Sequence, residues 1–128
     1  MSLSDEQWEF LQDVSELIRW AKANNFKLTG GELYRTQDQQ KLYYYGKRIV
    51  VHKDGVLSCI DDKKRSKTLR SRHTERLAID LNVFVNGRLA WEPEDLKSIG
   101  EFWKSLNPQN VWGGDWGWDA GHFERKPS

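Results

Sequence analysis

Cysteine is almost absent from this chain of 128 residues, which contains only Cys59. A single cysteine cannot form an intramolecular disulfide, so nothing in the sequence requires an oxidising compartment. It also cannot supply the paired thiolates of the cysteine-based structural zinc modules. We expect Cys59 not to act as a nucleophile, because no neighbouring base marks it as reactive.

The chain also lacks a charge excess and a long apolar run. Its 20 basic and 19 acidic residues give a net charge of +1, whereas a general nucleic-acid-binding protein carries a clear basic excess. No segment approaches the roughly 20 apolar residues that cross a bilayer, and the first residues do not resemble a signal peptide. These absences predict a cytoplasmic protein with no nucleic-acid partner and no membrane insertion.

Large aromatic side chains, by contrast, are plentiful. Seven tryptophans offset a hydrophobic content of only 38%, because each can bury a large apolar area. Without repeats or a linker, the length fits one compact domain over residues 1–128, which we expect to be a monomer. We expect at least one of Trp112, Trp116 and Trp118 to lie in the core, and an exposed one to line a groove for sugar or peptide.

The hydrophobic pattern predicts a small number of helices and strands. Helical spacing is found over residues 4–25, 37–45 and 93–106. In the first helix, Ser4 and Gln7 have the spacing of a capping box, and the expected buried stripe is Trp8, Leu11, Val14, Ile18 and Ala21, widened by Phe10 and Leu17. The predicted strands are residues 27–35, a hairpin around Asp54-Gly55, residues 77–83, a return strand 88–91 after Asn86-Gly87, and residues 121–124. The fold class is therefore α+β, a small antiparallel sheet flanked by helices.

The strand over residues 77–83 alternates between apolar and polar side chains. Asp80 stands on the face opposite the apolar set, where its carboxylate can reach a site without entering the core. His73 precedes this strand, and Asp119 and His122 lie close together near the C-terminus. Two histidines and two carboxylates are ligands that zinc favours, so we predict a zinc site on the sheet.

A catalytic zinc site needs three protein ligands and keeps one position open for water. His73, Asp80 and His122 can supply the three, and Asp119 is then placed to take the proton of the zinc-activated water. Arg35, between a predicted strand and a predicted helix, is a candidate to stabilise an oxyanion or grip a substrate carboxylate. The spacing alone leaves a second interpretation open, in which these side chains are ordinary polar residues.

A basic cluster precedes the central strand: Lys63, Lys64, Arg65, Lys67, Arg70 and Arg72. Such a cluster is typical of a solvated loop beside acidic residues, here Asp61 and Asp62. The alternative is a patch that attracts an anionic polymer.

The segment Ser71-x-His73, followed by Ala78 and Asp80, resembles the S-x-H-x-x-G-x-A-x-D motif of zinc peptidases of the D-alanyl-D-alanine carboxypeptidase type. This group includes the vancomycin-resistance dipeptidases and the L-alanyl-D-glutamate endopeptidases of bacteriophage endolysins. Asp119 and His122 resemble the group's last motif, an acid three residues before the third zinc histidine. Four further segments resemble the endolysin branch: residues 31–36, 39–43, 76–82 and 112–116. The resemblance extends over residues 29–123.

This resemblance implies zinc on His73, Asp80 and His122 and Asp119 as the acid/base. It also implies three residues near the substrate: Arg35, Ser71 and Gln40. Two positions depart from the pattern. Arg76 replaces the motif glycine and is expected to alter the floor of the site without abolishing it. Asp119 stands where the dipeptidases carry glutamate, so its shorter side chain must lie closer to the zinc.

These features predict a zinc-dependent peptidase that cuts the stem peptide of bacterial peptidoglycan, with the L-Ala–D-Glu bond as the expected target. The resemblance implies a phage endolysin that accumulates in the cytoplasm and acts on the cell wall after release through a holin-type system. Two alternatives stay open. One is a D-Ala-D-Ala carboxypeptidase or dipeptidase, and the other is a non-catalytic wall-binding phage structural module.

Overall fold

The computed structural model describes residues 1–127, in which three α-helices and seven strands are joined by loops and short 3₁₀ turns. The helices are α1 (Leu3–Ala23), α2 (Gln37–Tyr45) and α3 (Lys97–Leu106). The strands are β1 (Phe26–Gly30), β2 (Lys47–Val51), β3 (Leu57–Asp61), β4 (Ala78–Val85), β5 (Arg88–Ala90), β6 (Asn110–Trp112) and β7 (His122–Arg125). The 3₁₀ turns are Arg72–Glu75, Pro93–Leu96 and Gly113–Trp116.

Strand β4 is the central strand of the main sheet, whose order is β1-β4-β7-β6, with β5 also paired to β4. All of these pairs are antiparallel. At the β4–β5 turn, Asn86 and Gly87 both have positive φ angles, 51° and 78°, as a two-residue type I′ hairpin requires. The hairpin around Asp54-Gly55 also forms, as the separate pair β2–β3. The predicted α+β class with a small antiparallel sheet is confirmed.

The core lies between the main sheet and the two helices α1 and α3. Phe10, Trp103 and Phe123 are at most 1% exposed and meet edge to face, with ring centroids 5.6 and 5.9 Å apart. The indole Nε1 of Trp103 donates to the carbonyls of Val111 and Glu124 at 3.1 and 3.2 Å. Its polar atom is therefore satisfied inside the core, and the contact holds β6 and β7 against α3.

Helix α1 differs from its prediction in its start and in its buried face. The N-cap is Ser2 rather than Ser4, and the Ser2 hydroxyl accepts a backbone N–H at 3.2 Å. The buried apolar stripe is Phe10, Val14, Leu17 and Ala21, while Trp8, Leu11 and Ile18 are 62%, 49% and 48% exposed. The apolar arc of α1 is wider than the surface that the sheet and α3 cover, and periodicity does not show which edge stays outside. None of the helices in residues 1–127 is both long and apolar enough to cross a bilayer.

Two other bounds differ from the prediction by four or more residues. Strand β1 ends at Gly30, because the chain then turns close against β4: Gly31 N donates to Asp80 O at 2.8 Å. A Cβ at Gly31 would lie 2.6 Å from that oxygen, so this glycine permits a close backbone approach. The third helix begins as the 3₁₀ turn Pro93–Leu96, and the α-helix starts only at Lys97.

Candidate metal centre

Three side chains from separate segments meet at the start of β4. His73 comes from the 3₁₀ turn Arg72–Glu75, Asp80 from β4, and His122 from β7, where it lies directly opposite Asp80. Asp80 Oδ1 is 3.2 Å from His73 Nε2 and 3.1 Å from His122 Nδ1. One ligand atom from each residue lies within 4.8 Å of the others, so the three could form a metal site.

Both imidazole rings have a polar contact at the nitrogen that does not face Asp80. His73 is 2% exposed, and its Nδ1 lies 3.1 Å from the carbonyl of Leu33. Because a carbonyl only accepts, Nδ1 carries a proton, and Nε2 is the ring nitrogen that faces Asp80. On His122, Nε2 is 2.7 Å from Glu124 Oε1, which leaves Nδ1 facing Asp80. Two buried imidazoles with anchored outer nitrogens and one carboxylate form a donor set that fits zinc.

The charges of the site are strongly coupled. Burial acts to raise the pKa of Asp80, but hydrogen bonds from His122 and His73 outweigh it and hold this pKa well below its usual range. Burial acts to lower the pKa of His122, but Asp80 and Glu124 overcome this effect and raise it to about 9. In the metal-free protein His122 is therefore a cation paired with carboxylates, and a bound metal ion must replace its proton.

Asp119 lies beside the three candidate ligands, with Oδ2 3.8 Å from His122 Nδ1. Burial raises the pKa of Asp119, which is the direction that suits a general base working near neutral pH. The chain can bring Asp119 here because Gly113 packs against it: a Cβ at Gly113 would lie 2.2 Å from the Asp119 carbonyl oxygen. Residues 112–114 therefore form part of the surface against which the Asp119 backbone packs.

Arg35 is fixed in place by a network of polar contacts. Its Nε donates to Glu32 Oε1 at 2.5 Å and its Nη1 donates to Gln40 Oε1 at 2.7 Å. Gln40 is fully buried, and its Nε2 donates to Ser66 Oγ at 2.9 Å and to the carbonyl of Thr68 at 2.6 Å. Gln40 therefore lies behind Arg35, where it positions the guanidinium and the 66–68 loop.

Helix α2 carries Gln40, and a capping residue is present at each end of the helix. The Thr36 hydroxyl accepts the N–H of Gln39 at 3.1 Å, and Gly46 ends the helix with φ 71°. These are the two caps that a helix over residues 37–45 needs. Gln40 is thereby carried at a fixed position one turn into the helix.

Ser71 connects Arg35 to the first histidine. Its Oγ accepts the N–H of His73 at 3.2 Å, which caps the 3₁₀ turn, and lies 3.5 Å from Arg35 Nη1. The backbone N–H of Arg35 in turn donates to the His73 carbonyl at 3.1 Å. The serine, histidine and arginine of the sequence motifs are thus one connected unit.

Arg76, which replaces the motif glycine, ends the same 3₁₀ turn in the left-handed conformation with φ 56°. Glycine adopts this conformation most easily, which gives the motif glycine its physical reason. The Arg76 guanidinium lies 3.9 Å from the centroid of the Tyr34 ring, and neither residue lines the cavity that opens over the three candidate ligands. Arg76 thus keeps the left-handed turn and contacts Tyr34, and its effect on the floor of the site stays a prediction.

A cavity of about 980 Å³ opens over the candidate ligands. Its wall includes Arg35, Ser71 and Asp119, and Trp116 and Trp118 lie at its rim, 46% and 61% exposed. The Trp116 ring is 5.2 Å from the His122 ring. Trp112 is instead a core residue, 3% exposed, so the expectation that at least one of the three tryptophans lies in the core is confirmed.

Two carboxylates of the site have no counterpart among the predicted residues. Glu124 contacts His122, and Glu32 contacts Arg35. Glu124 could have been found from strand alternation, since residues two apart on a strand share a face. Glu32 is three residues before Arg35 in an irregular segment, where no period predicts the contact.

Cys59 and His52 belong to the separate hairpin and are not among the residues that line this cavity.

Comparison with known families supports the predicted resemblance. Residues 64–125, which hold all three candidate ligands and Asp119, match the family model described as D-alanyl-D-alanine carboxypeptidase. The chain is similar to this peptidase family. The match supports a peptidase, and the family resemblance inferred from the motifs is confirmed.

Among solved structures, the fold of the chain is similar to that of the L-Ala D-Glu endopeptidase ChiX of Serratia marcescens. The TM-score is 0.63 at 20% sequence identity, and the match covers 92% of this chain and 78% of that one. At this identity the likeness establishes a shared fold. No curated protein matches the chain.

Proposed function

We propose that this protein is a zinc-dependent endopeptidase that hydrolyses the stem peptide of bacterial peptidoglycan at the L-Ala–D-Glu bond. The observation that carries the proposal is the convergence of His73, Asp80 and His122 in an open cavity whose wall also holds Asp119 and Arg35. The peptidase family match over the same residues supports the reaction class. The shared fold with an L-Ala D-Glu endopeptidase supports the choice of bond.

His73, Asp80 and His122 would hold the zinc ion. Zinc bound there would supply Lewis acidity, which lowers the pKa of a water molecule to about 7. Asp119 accepts the proton of the attacking water and returns it to the leaving nitrogen, and its raised pKa suits both transfers. Arg35, held by Glu32 and Gln40, offers its guanidinium to the oxyanion or to the D-Glu carboxylate. Ser71 lies between these groups on the cavity wall.

We further propose that the protein acts as a monomeric phage endolysin that reaches the wall after a holin-type release. This biological setting is supported by the sequence motifs shared with endolysin peptidases. The observation that supports the alternative bond, D-Ala–D-Ala, is the description of the matching family as D-alanyl-D-alanine carboxypeptidase. One digestion experiment distinguishes the two bonds.

Purified peptidoglycan is digested by zinc-loaded protein with and without a chelator, and the products are identified by mass spectrometry. We expect cleavage between L-Ala and D-Glu that the chelator abolishes. His73→Ala should lose both zinc and activity, and Asp119→Asn should keep zinc but lose turnover by a factor of at least about 10². Release of free D-alanine with the L-Ala–D-Glu bond intact would establish the alternative enzyme. Wall binding without zinc and without cleavage would instead establish a non-catalytic module.

A further inference from the structure

A second cavity of about 550 Å³ adjoins the one over the metal centre, and we call it the flank cavity. It is lined by Tyr44, Lys64, Arg65, Ser66, Lys67 and Trp118. Four of these residues also line the larger cavity: Arg65, Ser66, Lys67 and Trp118. The two spaces therefore share a wall, and a chain molecule lying across the metal centre can extend from one into the other.

The flank cavity has an unbalanced charge. Its lining contains three cations and no acidic residue. Arg65 lies 3.5 Å from Asp62, whereas within residues 1–127 the ion pairs closer than 4.0 Å include neither Lys64 nor Lys67. The carboxylates of the larger cavity are Glu32, Glu75, Asp80, Asp119 and Glu124, and none of them lines the flank cavity. An anionic group on a bound chain is therefore attracted to the flank cavity.

The segment that carries these cations is held in place. Gln40, which is fully buried, donates to Ser66 Oγ and to the Thr68 carbonyl at 2.9 and 2.6 Å. The Arg65 N–H donates to the carbonyl of Tyr43 at 2.9 Å. These bonds to α2 give Lys64 and Lys67 a fixed backbone, which a freely solvated basic loop does not have.

Aromatic rings connect the metal centre to the flank cavity. The Trp116 ring lies 5.2 Å from His122, and Trp118 lies 6.4 Å from Trp116. Trp118 is 61% exposed and forms part of both cavities. Exposed rings in such a row offer apolar contact area to a ligand at low entropic cost, so they mark a path along which the substrate can lie.

We propose that the flank cavity is a substrate subsite that binds a carboxylate of the stem peptide, beyond the D-Glu residue, through Lys64 and Lys67. The proposal rests on the proposed function, because it assumes that the scissile bond lies at the metal centre. It assigns the basic cluster of the sequence a role in substrate selection. A stem peptide whose later carboxylates are amidated is then a poorer substrate than one in which they are free.

The test uses two synthetic stem peptides that contain the L-Ala–D-Glu bond and a free D-Glu carboxylate. They differ only in the residues after D-Glu, which carry carboxylates in one peptide and carboxamides in the other. The double variant Lys64→Gln/Lys67→Gln is compared with Lys53→Gln/Lys97→Gln, which removes the same charge from exposed positions outside both cavities. Steady-state kinetics give KM and kcat for each zinc-loaded protein.

We expect the wild-type protein and the control variant to show a KM about tenfold lower for the carboxylate peptide, with similar kcat for both peptides. The Lys64→Gln/Lys67→Gln variant should lose this difference and keep its kcat. The difference should also shrink as salt is raised, because these lysines are solvent-accessible. Equal KM values in the wild-type protein, or an equal loss in the control variant, would overturn the subsite.

A calorimetric titration separates this result from a failure of the proposed function. If neither peptide is cleaved, the proposed function fails, and binding of both peptides to the zinc-loaded protein is measured directly. Tighter binding of the carboxylate peptide that disappears in Lys64→Gln/Lys67→Gln would still support the subsite. Equal binding of both peptides would reject it.

Discussion

Glu124 contacts the candidate zinc ligand His122 at the ring nitrogen that does not face Asp80. Its carboxylate accepts from His122 Nε2 at 2.7 Å, which selects the tautomer that leaves Nδ1 for the metal. We predict that Glu124→Ala weakens zinc binding by about 10- to 100-fold, measured by competition with a chelating dye. Glu75→Ala is the matched control, since Glu75 lines the same cavity but pairs with Arg72. An unchanged zinc affinity in Glu124→Ala would show that the contact does not orient the ring.

Arg76 allows a direct test of why the related motif has a glycine at this position. Arg76→Gly relieves the left-handed backbone, a gain of about 1 kcal/mol, and loses the cation–π contact with Tyr34, a loss of about 0.5–1 kcal/mol. The two nearly cancel, so we expect stability within about 0.5 kcal/mol of the wild type. Arg76→Val loses the contact and keeps the strain, and should be destabilised by about 1–2 kcal/mol.

Urea unfolding measures both Arg76 variants, and zinc affinity should be unchanged in each because Arg76 does not line the cavity. Equal stability of the valine and glycine variants would mean that the left-handed turn carries no conformational cost.

The candidate ligands could be predicted from the sequence because each stands in a local pattern. Asp80 lies on an alternating strand, and His73 and His122 lie in motifs with fixed spacing. The orientation of the His73 ring could not be predicted, since the carbonyl of Leu33 is brought to it by a tertiary contact. Gln40 illustrates the same limit: its motif position indicated substrate contact, while the fold buries it behind Arg35.

Among the helices and strands, those with local end signals could be predicted best. Helix α2 has Thr36 and Gly46 at its ends, and the β4–β5 turn has Asn86-Gly87. Strand β6 could not be predicted, because its residues lie in a Gly- and Trp-rich tail and pair only with β7. The buried face of α1 was also undetermined, since both edges of its apolar arc satisfy helical spacing.

Helix α1 is attached to the sheet by a buried arginine that no sequence pattern indicated. Arg125 on β7 is 1% exposed, and its guanidinium donates to Glu9 at 2.9 Å and to Asp13 at 2.5 Å. We predict that Arg125→Met destabilises the protein by about 3–5 kcal/mol, because it leaves carboxylates of α1 partly buried without their cation. Urea unfolding monitored by tryptophan fluorescence measures the loss.

The control for Arg125 is Arg19→Met, which removes an exposed pair with Glu16 at 3.9 Å and should cost less than about 0.5 kcal/mol. A comparable loss in both variants would mean that the buried pairs contribute no more than a surface ion pair. Because Arg125 is three residues after His122, we also expect Arg125→Met to weaken zinc binding through movement of β7.

Across the whole molecule, the candidate metal centre connects segments that are far apart in the chain. His73 precedes β4, Asp80 lies within it, and His122 lies on the strand paired to it. A metal ion bound by all three would therefore crosslink the sheet to the 3₁₀ turn, and its binding energy would add to the stability of the fold. The hydrophobic core between the sheet, α1 and α3 is made of other residues.

The raised pKa of His122 predicts a specific pH dependence for the stability of the metal-free protein. Despite the opposing effect of burial, Asp80 and Glu124 raise the pKa of His122 to about 9, against 6.5 for an ordinary histidine. A group whose pKa is raised by folding stabilises the native state fully below its unfolded value and loses that contribution as the pH rises through its folded value. We therefore expect the Tm of the metal-free protein to fall by on the order of 5 °C between pH 6.5 and 9. The zinc-loaded protein should not show this fall, because its His122 is already deprotonated.

Differential scanning calorimetry of both forms, with metal-free His122→Gln as the control that lacks the titrating group, measures the effect. A metal-free Tm that stays constant or rises over this range, or that falls equally in His122→Gln, would contradict the charged His122 pair.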